Sequence, residues 1–258
     1  MHRILTLVTL CFLGASCASI RGEDAASAGA SAGIATQYWF RGAIQSEGPV
    51  LQGDLAASIP VESGAWDVGV WANMELSNDT GDAVLPDGNG ALIDEIDLFT
   101  SYSTTIGAFD TSLGLVSYNF PNGAGGSTHE VYVSGSTLTG PIEHGLTLYY
   151  DFDSVEGAYL SYEAGHAFAL QEDLELGLSV LAGHMSEDQA AAYFGVEESG
   201  ISDLSVSAAL SWAYDEFTSL YLSASALTVP DSDLSDALEA AGLDDSGAWV
   251  ALGASWSF

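Results

Sequence analysis

The chain has almost no positive charge. Its 258 residues include 36 Asp and Glu, three Arg and no Lys, for a formal net charge of −33. The three arginines are Arg3, Arg21 and Arg41. Nucleic acid is thereby excluded as a partner, because phosphate has to be met by cationic side chains. Cysteine is equally scarce: Cys11 and Cys17 both lie near the N-terminus. A chain cut after Ala18 would have no disulfide, no thiolate chemistry and no cysteine metal site. Beyond the N-terminus no apolar run approaches the length of a membrane-spanning helix, so a membrane passage has to be a closed barrel. Disorder is excluded by a composition that is 48% hydrophobic and 10% aromatic. The unneutralised acidity reads either as solubility in salty surroundings or as a field that attracts cations.

What is present begins with a leader. Arg3 precedes an apolar run from Ile4 to Ala15, followed by the small residues Ser16 and Ala18. That is the pattern of a cleaved secretory signal peptide over 1–18. Cys17 opens a lipoprotein reading, against which Gly14 stands where a lipobox prefers Leu. A flexible segment over 19–30 and a single barrel domain over 31–258 are expected to follow.

From about residue 30 one pattern recurs: alternation over roughly ten residues, broken by Gly, Pro, Asn or Asp. In 66–76, Trp66, Val68, Val70, Ala72, Met74 and Leu76 share one face, and Asp67, Gly69, Trp71, Asn73 and Glu75 the other. Twelve such segments are found, at 31–40, 50–60, 65–77, 93–106, 108–120, 128–138, 144–153, 157–169, 173–185, 202–214, 217–229 and 247–258. An even count places both termini on one side. The connections alternate too: 78–92, 186–201 and 230–246 are long, whereas 61–64, 107, 170–172 and 215–216 are short. Long outer loops and short periplasmic turns characterise transmembrane barrels. The connection at 154–156, expected to be long, is short and is the weak point of the pattern, and 233–241 reads as a helical turn or two inside the last outer loop. Trp66, Tyr102, Trp212, Tyr214 and Trp256 fall near strand ends, as interfacial aromatic girdles require. The final strand presents Val250, Leu252, Trp256 and Phe258 on one face, which resembles the signal read by barrel-assembly machinery.

The inward face collects carboxylates. Asp54, Asp67, Glu75, Glu95, Asp97, Glu130, Asp151, Asp153, Glu163 and Glu175 are the candidates to line a lumen, with Arg41 at its mouth. Arg41 is expected to pair with Asp54 or Glu75, either narrowing a pore or satisfying one buried carboxylate. So many acids are best accommodated by an open, water-filled, cation-preferring lumen. Inward Trp71, Phe99, Tyr132 and Tyr149 are candidates to constrict it.

Two stretches carry a family resemblance. Residues 35–59 hold Tyr38, Phe40, Arg41, Gly42, Gln45, Pro49, Gln52 and Gly53 in an aromatic–Arg-Gly–turn–Pro–Gln-Gly order. Residues 115–135 hold an aromatic-Pro turn at Phe120 followed by Glu-Val-Tyr. Both resemble the TorF-type porin family, which implies a small outer-membrane barrel labelled a porin. The acidity of this chain exceeds what that family leads one to expect, so its selectivity does not transfer.

Enzymatic chemistry finds no support. His166 and His184 fall on the outward face, His129 starts a strand and His144 is expected in a turn. No Ser–His–carboxylate set, phosphate-binding loop, or haem or zinc motif is found, and no cofactor is expected. The acidic stretches 86–90 and 230–236 lack the spacing of a calcium loop, and read as solvated loops, with weak divalent binding that bridges lipopolysaccharide as the alternative. The expectation is an all-β, antiparallel up-and-down transmembrane barrel of about twelve strands. It would pass small polar or cationic solutes passively, with outer-membrane lipid, assembly machinery and solutes as partners. A closed structural or adhesive barrel, and a lipocalin-like ligand binder, are the alternatives.

Overall fold

The computed structural model describes residues 25–76, 92–122 and 126–258. The leader, Cys17, Arg21 and the acidic stretch 86–90 lie outside the described residues. The elements in chain order are β1 (Ser27–Ala35), β2 (Tyr38–Phe40), β3 (Ala43–Ser46), β4 (Val50–Val61), β5 (Gly64–Glu75), β6 (Leu92–Ile106) and β7 (Phe109–Asn119). There follow β8 (Thr128–Thr139), β9 (Ile142–Asp151), β10 (Ala158–Ala169), β11 (Leu174–Met185) and α1 (Glu187–Phe194). The last are β12 (Gly200–Ala213), β13 (Thr218–Thr228), α2 (Ser232–Ala241) and β14 (Ser246–Ser257).

Twelve of the strands close into one antiparallel barrel in which each pairs with its chain neighbours. Closure is made by β1, which pairs with β4 on one side and β14 on the other. The seam runs from Gly29 opposite Ser257 to Ala35 opposite Ala251. Beyond it, Phe258 exchanges backbone hydrogen bonds with Ala28, at 3.2 and 2.8 Å. Among the described residues the barrel wall leaves no strand edge for another chain to extend, which is how a barrel satisfies its backbone without water.

Alternation decides the two surfaces, because side chains in a strand have a period of two. Large apolar side chains stand outward with much of their area exposed, among them Leu55, Leu98, Leu113 and Leu252 at 54–60%. Such a surface is the reverse of a soluble sheet and matches an apolar environment. At the end holding the short turns, Trp66 packs on Tyr102 and Trp212 on Tyr214, each with ring centroids 5.4 Å apart, and Trp256 and Phe258 join this belt. The expected girdle residues are thus outward and at one level. Val250, Leu252, Trp256 and Phe258 all face outward as expected.

Connections separate cleanly by length. Turns of two to four residues lie at 62–63, 107–108, 140–141, 170–173 and 214–217, all at the end that carries the termini. We call this the turn end, and the opposite one the loop end. The loop 229–245 carries α2, longer than the turn or two expected there, and α1 in 186–199 has no counterpart in the sequence reading. Each helix is capped at both ends: Ser186 and Asp231 accept backbone N–H groups at the N-terminus, and Gly195 and Gly242 take left-handed conformations at the C-terminus. Asp231 therefore serves as a cap, which accounts for part of the acidic stretch 230–236.

The first strand departs from expectation. It runs over Ser27–Ala35 rather than 31–40, so residues 27–30, expected to be flexible, belong to the barrel wall. Tyr38–Phe40 leave the wall and form, with Ala43–Ser46, a two-stranded hairpin. The cause is visible in the residue pattern. Tyr38, Trp39 and Phe40 are all buried, and three successive aromatics cannot all be buried from a barrel wall with one face outward and one to the lumen.

Candidate functional site

The hairpin β2–β3 is the feature that sets the lumen's geometry. Phe40 and Ala43 are paired, leaving Arg41 and Gly42 as a two-residue turn. Both take positive φ, 51° and 88°, the combination of a type I′ turn. For Arg41 that conformation costs roughly 1 kcal/mol or more. At Gly42 a Cβ would lie 2.1 Å from the backbone oxygen of Ser202, so the turn is also pressed against β12.

Around this tip the hairpin touches the barrel on several sides. Arg41 donates from Nη1 and Nη2 to the two carboxylate oxygens of Glu130 on β8, at 2.6 and 2.7 Å. Its guanidinium lies over the rings of Phe40, Tyr149 and Tyr159, 4.4 to 4.8 Å from their centroids. Tyr38 donates to Glu95 Oε2 on β6 at 2.9 Å and packs its ring 5.7 Å from Trp71 on β5. Phe40 meets Tyr118 and, in α1, Tyr193. Trp39 packs with Leu227 and Trp249 on the opposite wall, where Gly247 makes room: a Cβ there would fall 2.3 Å from the indole. Ser46 donates to Glu75. A second apolar cluster, from Tyr159 and Met185 through Phe194 to Leu234 and Leu238, seats both helices over the neighbouring strands at the loop end. The loop-end half of the lumen is therefore filled with aromatic and acidic side chains around one arginine.

The carboxylates of this half are individually satisfied. Glu130 also accepts from the Tyr118 hydroxyl at 2.8 Å. Asp203 accepts from Tyr159 at 3.1 and 3.2 Å and from Ser202 at 2.7 Å. Asp151 accepts from Thr128 and from the backbone N–H groups of residues 153 to 155. Asn73 donates to both oxygens of Asp94 at 2.8 Å. Asp97 differs: it is 0% exposed, and neither of its oxygens has a hydrogen-bond partner.

The turn-end half is built differently. Its inward residues are small and polar, such as Ser112, Ser134, Ser161, Ser179, Ser207, Ser211 and Ser255, and they are half-buried rather than buried. The acids here are spaced apart. Asp67 accepts from Ser103 at 2.9 Å, Asp54 accepts from Ser31, and Glu163 and Glu175 face the lumen beside Gly145 and Ser211.

Of the expected lumen residues, Asp54, Asp67, Trp71, Glu75, Glu95, Asp97, Glu130, Asp151, Glu163 and Glu175 do stand on the inward face. Two expectations are corrected. Arg41 pairs with Glu130 rather than with Asp54 or Glu75, because the turn carries it across the bore to the far wall. Asp153 lies beyond the end of β9, half-exposed, and pairs with His129 at 2.8 Å outside the lumen. His144, expected in a turn, is inside β9 and stacks on Tyr162. Sequence reasoning gave no lumen role to Tyr38, Tyr118, Tyr159, Asp203 or Asn73. Alternation put Tyr118, Tyr159 and Asn73 on inward faces, but nothing local marked them as contacts of a folded-in loop. Among the described residues, no three His, Cys, Asp or Glu side chains are gathered as a metal cage.

Comparison with known proteins agrees with this architecture. The NanC porin superposes with a TM-score of 0.54 at 11% identity, covering 89% of this chain and 98% of the porin. An outer-membrane channel from Pseudomonas putida F1 gives 0.54 at 9% identity, covering 91% of this chain and 96% of the channel. At such identities the likeness is one of fold. No protein of curated function matches the sequence. A family model described as "bacterial protein of unknown function (Gcw_chp)" matches residues 22–214, most of the barrel, and the chain belongs to that family.

Proposed function

We propose that this protein is an outer-membrane, porin-like channel that passes small polar or cationic solutes without energy coupling, its bore narrowed at the loop end by the β2–β3 hairpin. The observation that carries the reading is the inversion of the barrel: large apolar side chains outside, serine, glycine and carboxylates inside. That inversion also weighs against a soluble lipocalin-like binder, whose outer face would meet water. The folds shared with a porin and with an outer-membrane channel support the same reading. So does the resemblance of residues 35–59 and 115–135 to TorF-type porins. Export by the leader and insertion through the Phe258 strand complete the proposal.

Cation preference follows from the balance of charge. Arg41 is consumed by Glu130, so it offers no free positive charge to an anion in the bore. The part-buried Asp54, Glu163 and Glu175 remain along the more open half.

A second reading is favoured by one observation. Tyr38, Trp39, Phe40 and Arg41 are 1 to 8% exposed, packed as tightly as a protein core, so the resting barrel is closed or nearly so. Planar-bilayer recordings decide both points. The channel reading expects small conductance steps from the whole chain and steps several-fold larger after removal of residues 37–47. A deletion variant that inserts and still gives no step above background would leave the closed structural barrel standing. A reversal potential showing anion preference would overturn the role given to the carboxylates.

A further inference from the structure

The wall behind the hairpin holds an unsatisfied set of oxygens. Asp97 on β6 is wholly buried, and both its carboxylate oxygens lack partners. Asn73 on β5 is also 0% exposed; its Nδ2 is committed to Asp94, and its Oδ1 has no partner. The register brings the two together: Asn73 lies opposite Glu95 and Trp71 opposite Asp97, so Asn73 and Asp97 are diagonal neighbours on one inward face. Diagonal pairs sit about 7–8 Å apart at Cα, within reach of converging side chains. Glu95 lies two residues from Asp97 on the same face, with Oε2 accepting from Tyr38.

An isolated buried carboxylate is among the costliest groups a protein can hold. Arg41 makes no hydrogen bond to Asp97, since both of its Nη atoms bond Glu130, and its charge reaches Asp97 only through space. Protonating Asp97 would remove its charge and let one O–H reach Asn73 Oδ1 or Glu95, but it would leave the second Asp97 oxygen without a partner. A cation answers all three oxygens at once. Two carboxylates call for a double charge, and an all-oxygen set selects a hard ion. Calcium fits better than magnesium, because it accepts six to eight oxygens in irregular geometry whereas magnesium demands a near-ideal octahedron. The unpartnered Nε2 of Gln52, opposite Asn73 across β4 and β5, is placed to orient a water that completes the shell. We infer that Asp97, Glu95 and the amide oxygen of Asn73 hold a calcium-type divalent cation in the barrel wall beneath Tyr38 and Trp71. The ion links β5 and β6 and, through Glu95, steadies the Tyr38 anchor of the hairpin.

The test uses the full chain refolded in detergent with calcium or with a chelator, then passed through gel filtration in enough salt to strip ions from the acidic loops. Elemental analysis should find about one calcium per chain more in the wild type than in the isosteric Asp97→Asn variant. Equal contents in the two, or none in either, would overturn the inference. Should Asp97→Asn fail to fold, Asn73→Leu keeps both carboxylates and removes one ligand. Calcium binding should then weaken about tenfold, the effect of a typical ligand loss, and unchanged binding would again overturn the site. The measurement does not depend on conductance, so its failure and that of the channel reading are separable.

Discussion

The two halves of this lumen share one wall and one strand pattern, yet they are built on opposite terms. At the loop end, Glu130, Glu95, Asp203 and Asp151 each have specific partners, and a hairpin, two helices and a ring of tyrosines exclude water. At the turn end, serines stand half-buried around Asp54, Asp67 and Glu175. The lesson is that an inward carboxylate has no fixed meaning. Where water is excluded it must be paired, and it becomes structural. Where water reaches it, it remains a source of field.

The largest break in this contrast should come from Glu130→Ala. It leaves the Arg41 guanidinium buried among Phe40, Tyr149 and Tyr159 without its hydrogen-bonded ion-pair partner, and losing one partner of a buried pair costs about 3–5 kcal/mol. The expected result is a released hairpin: fast hydrogen exchange and protease cleavage within 36–49, with exchange in β12–β14 unchanged. Asp67→Ala at the turn end, which loses bonds from serine hydroxyls only, should leave the hairpin's exchange as it is.

Gly42→Ala should come next. Gly42 and Gly107 both have positive φ, but a Cβ at Gly107 meets nothing within 4 Å, whereas at Gly42 it strikes the Ser202 backbone. Gly107→Ala should cost about 1 kcal/mol of strain. Gly42→Ala should cost about 2 kcal/mol or more, because backbone has to move. Thermal unfolding of the two variants, with hairpin exchange alongside, checks the difference.

Tyr38→Phe removes one hydroxyl from Glu95 and keeps the ring on Trp71. A hydrogen bond to a charged group is worth about 1.5–3 kcal/mol, so the hairpin should exchange faster by one to two orders of magnitude, less than with Glu130→Ala.

The smallest effect is a pH dependence at the rim. Ser235 donates to Asp245 at 2.6 Å and Ser246 donates at 3.1 Å, and these bonds hold the Asp245 carboxyl below its ordinary value. A depressed carboxyl contributes stability that is complete above its unfolded pKa of about 3.9 and is lost as pH falls through the lower folded value. Exchange of the α2 amides should therefore be flat from neutral pH to about 5 and rise only below about 4, and Ser235→Ala, which leaves the Ser246 bond, should reduce that rise.

Much of the barrel was legible in the residues. Eleven of the twelve segments, their faces, the outward C-terminal residues and the alternation of long and short connections appear where the pattern placed them; the first segment alone is displaced. These features are local: a period of two and a turn residue act over a few positions, and closure of the barrel imposes the same two-faced rule on every strand. The site was less legible. Alternation identified Glu130 and Asp97 as inward, but not that one is bound by Arg41 and the other is left without a partner. The clue that was present, three successive aromatics at 38–40, contradicts a wall strand and marks a segment buried on every side.

By itself, then, the sequence determined a closed, two-faced barrel with an acidic interior, because strand periodicity sets the two faces and 36 acidic residues face only three arginines. Only the tertiary structure decided that the first loop folds inward, that Arg41 meets Glu130 across the bore, and that the interior divides into a packed half and an open half. The reason is distance along the chain: the partners of that loop are 57 and 89 residues away, and only closure of the barrel brings them within reach.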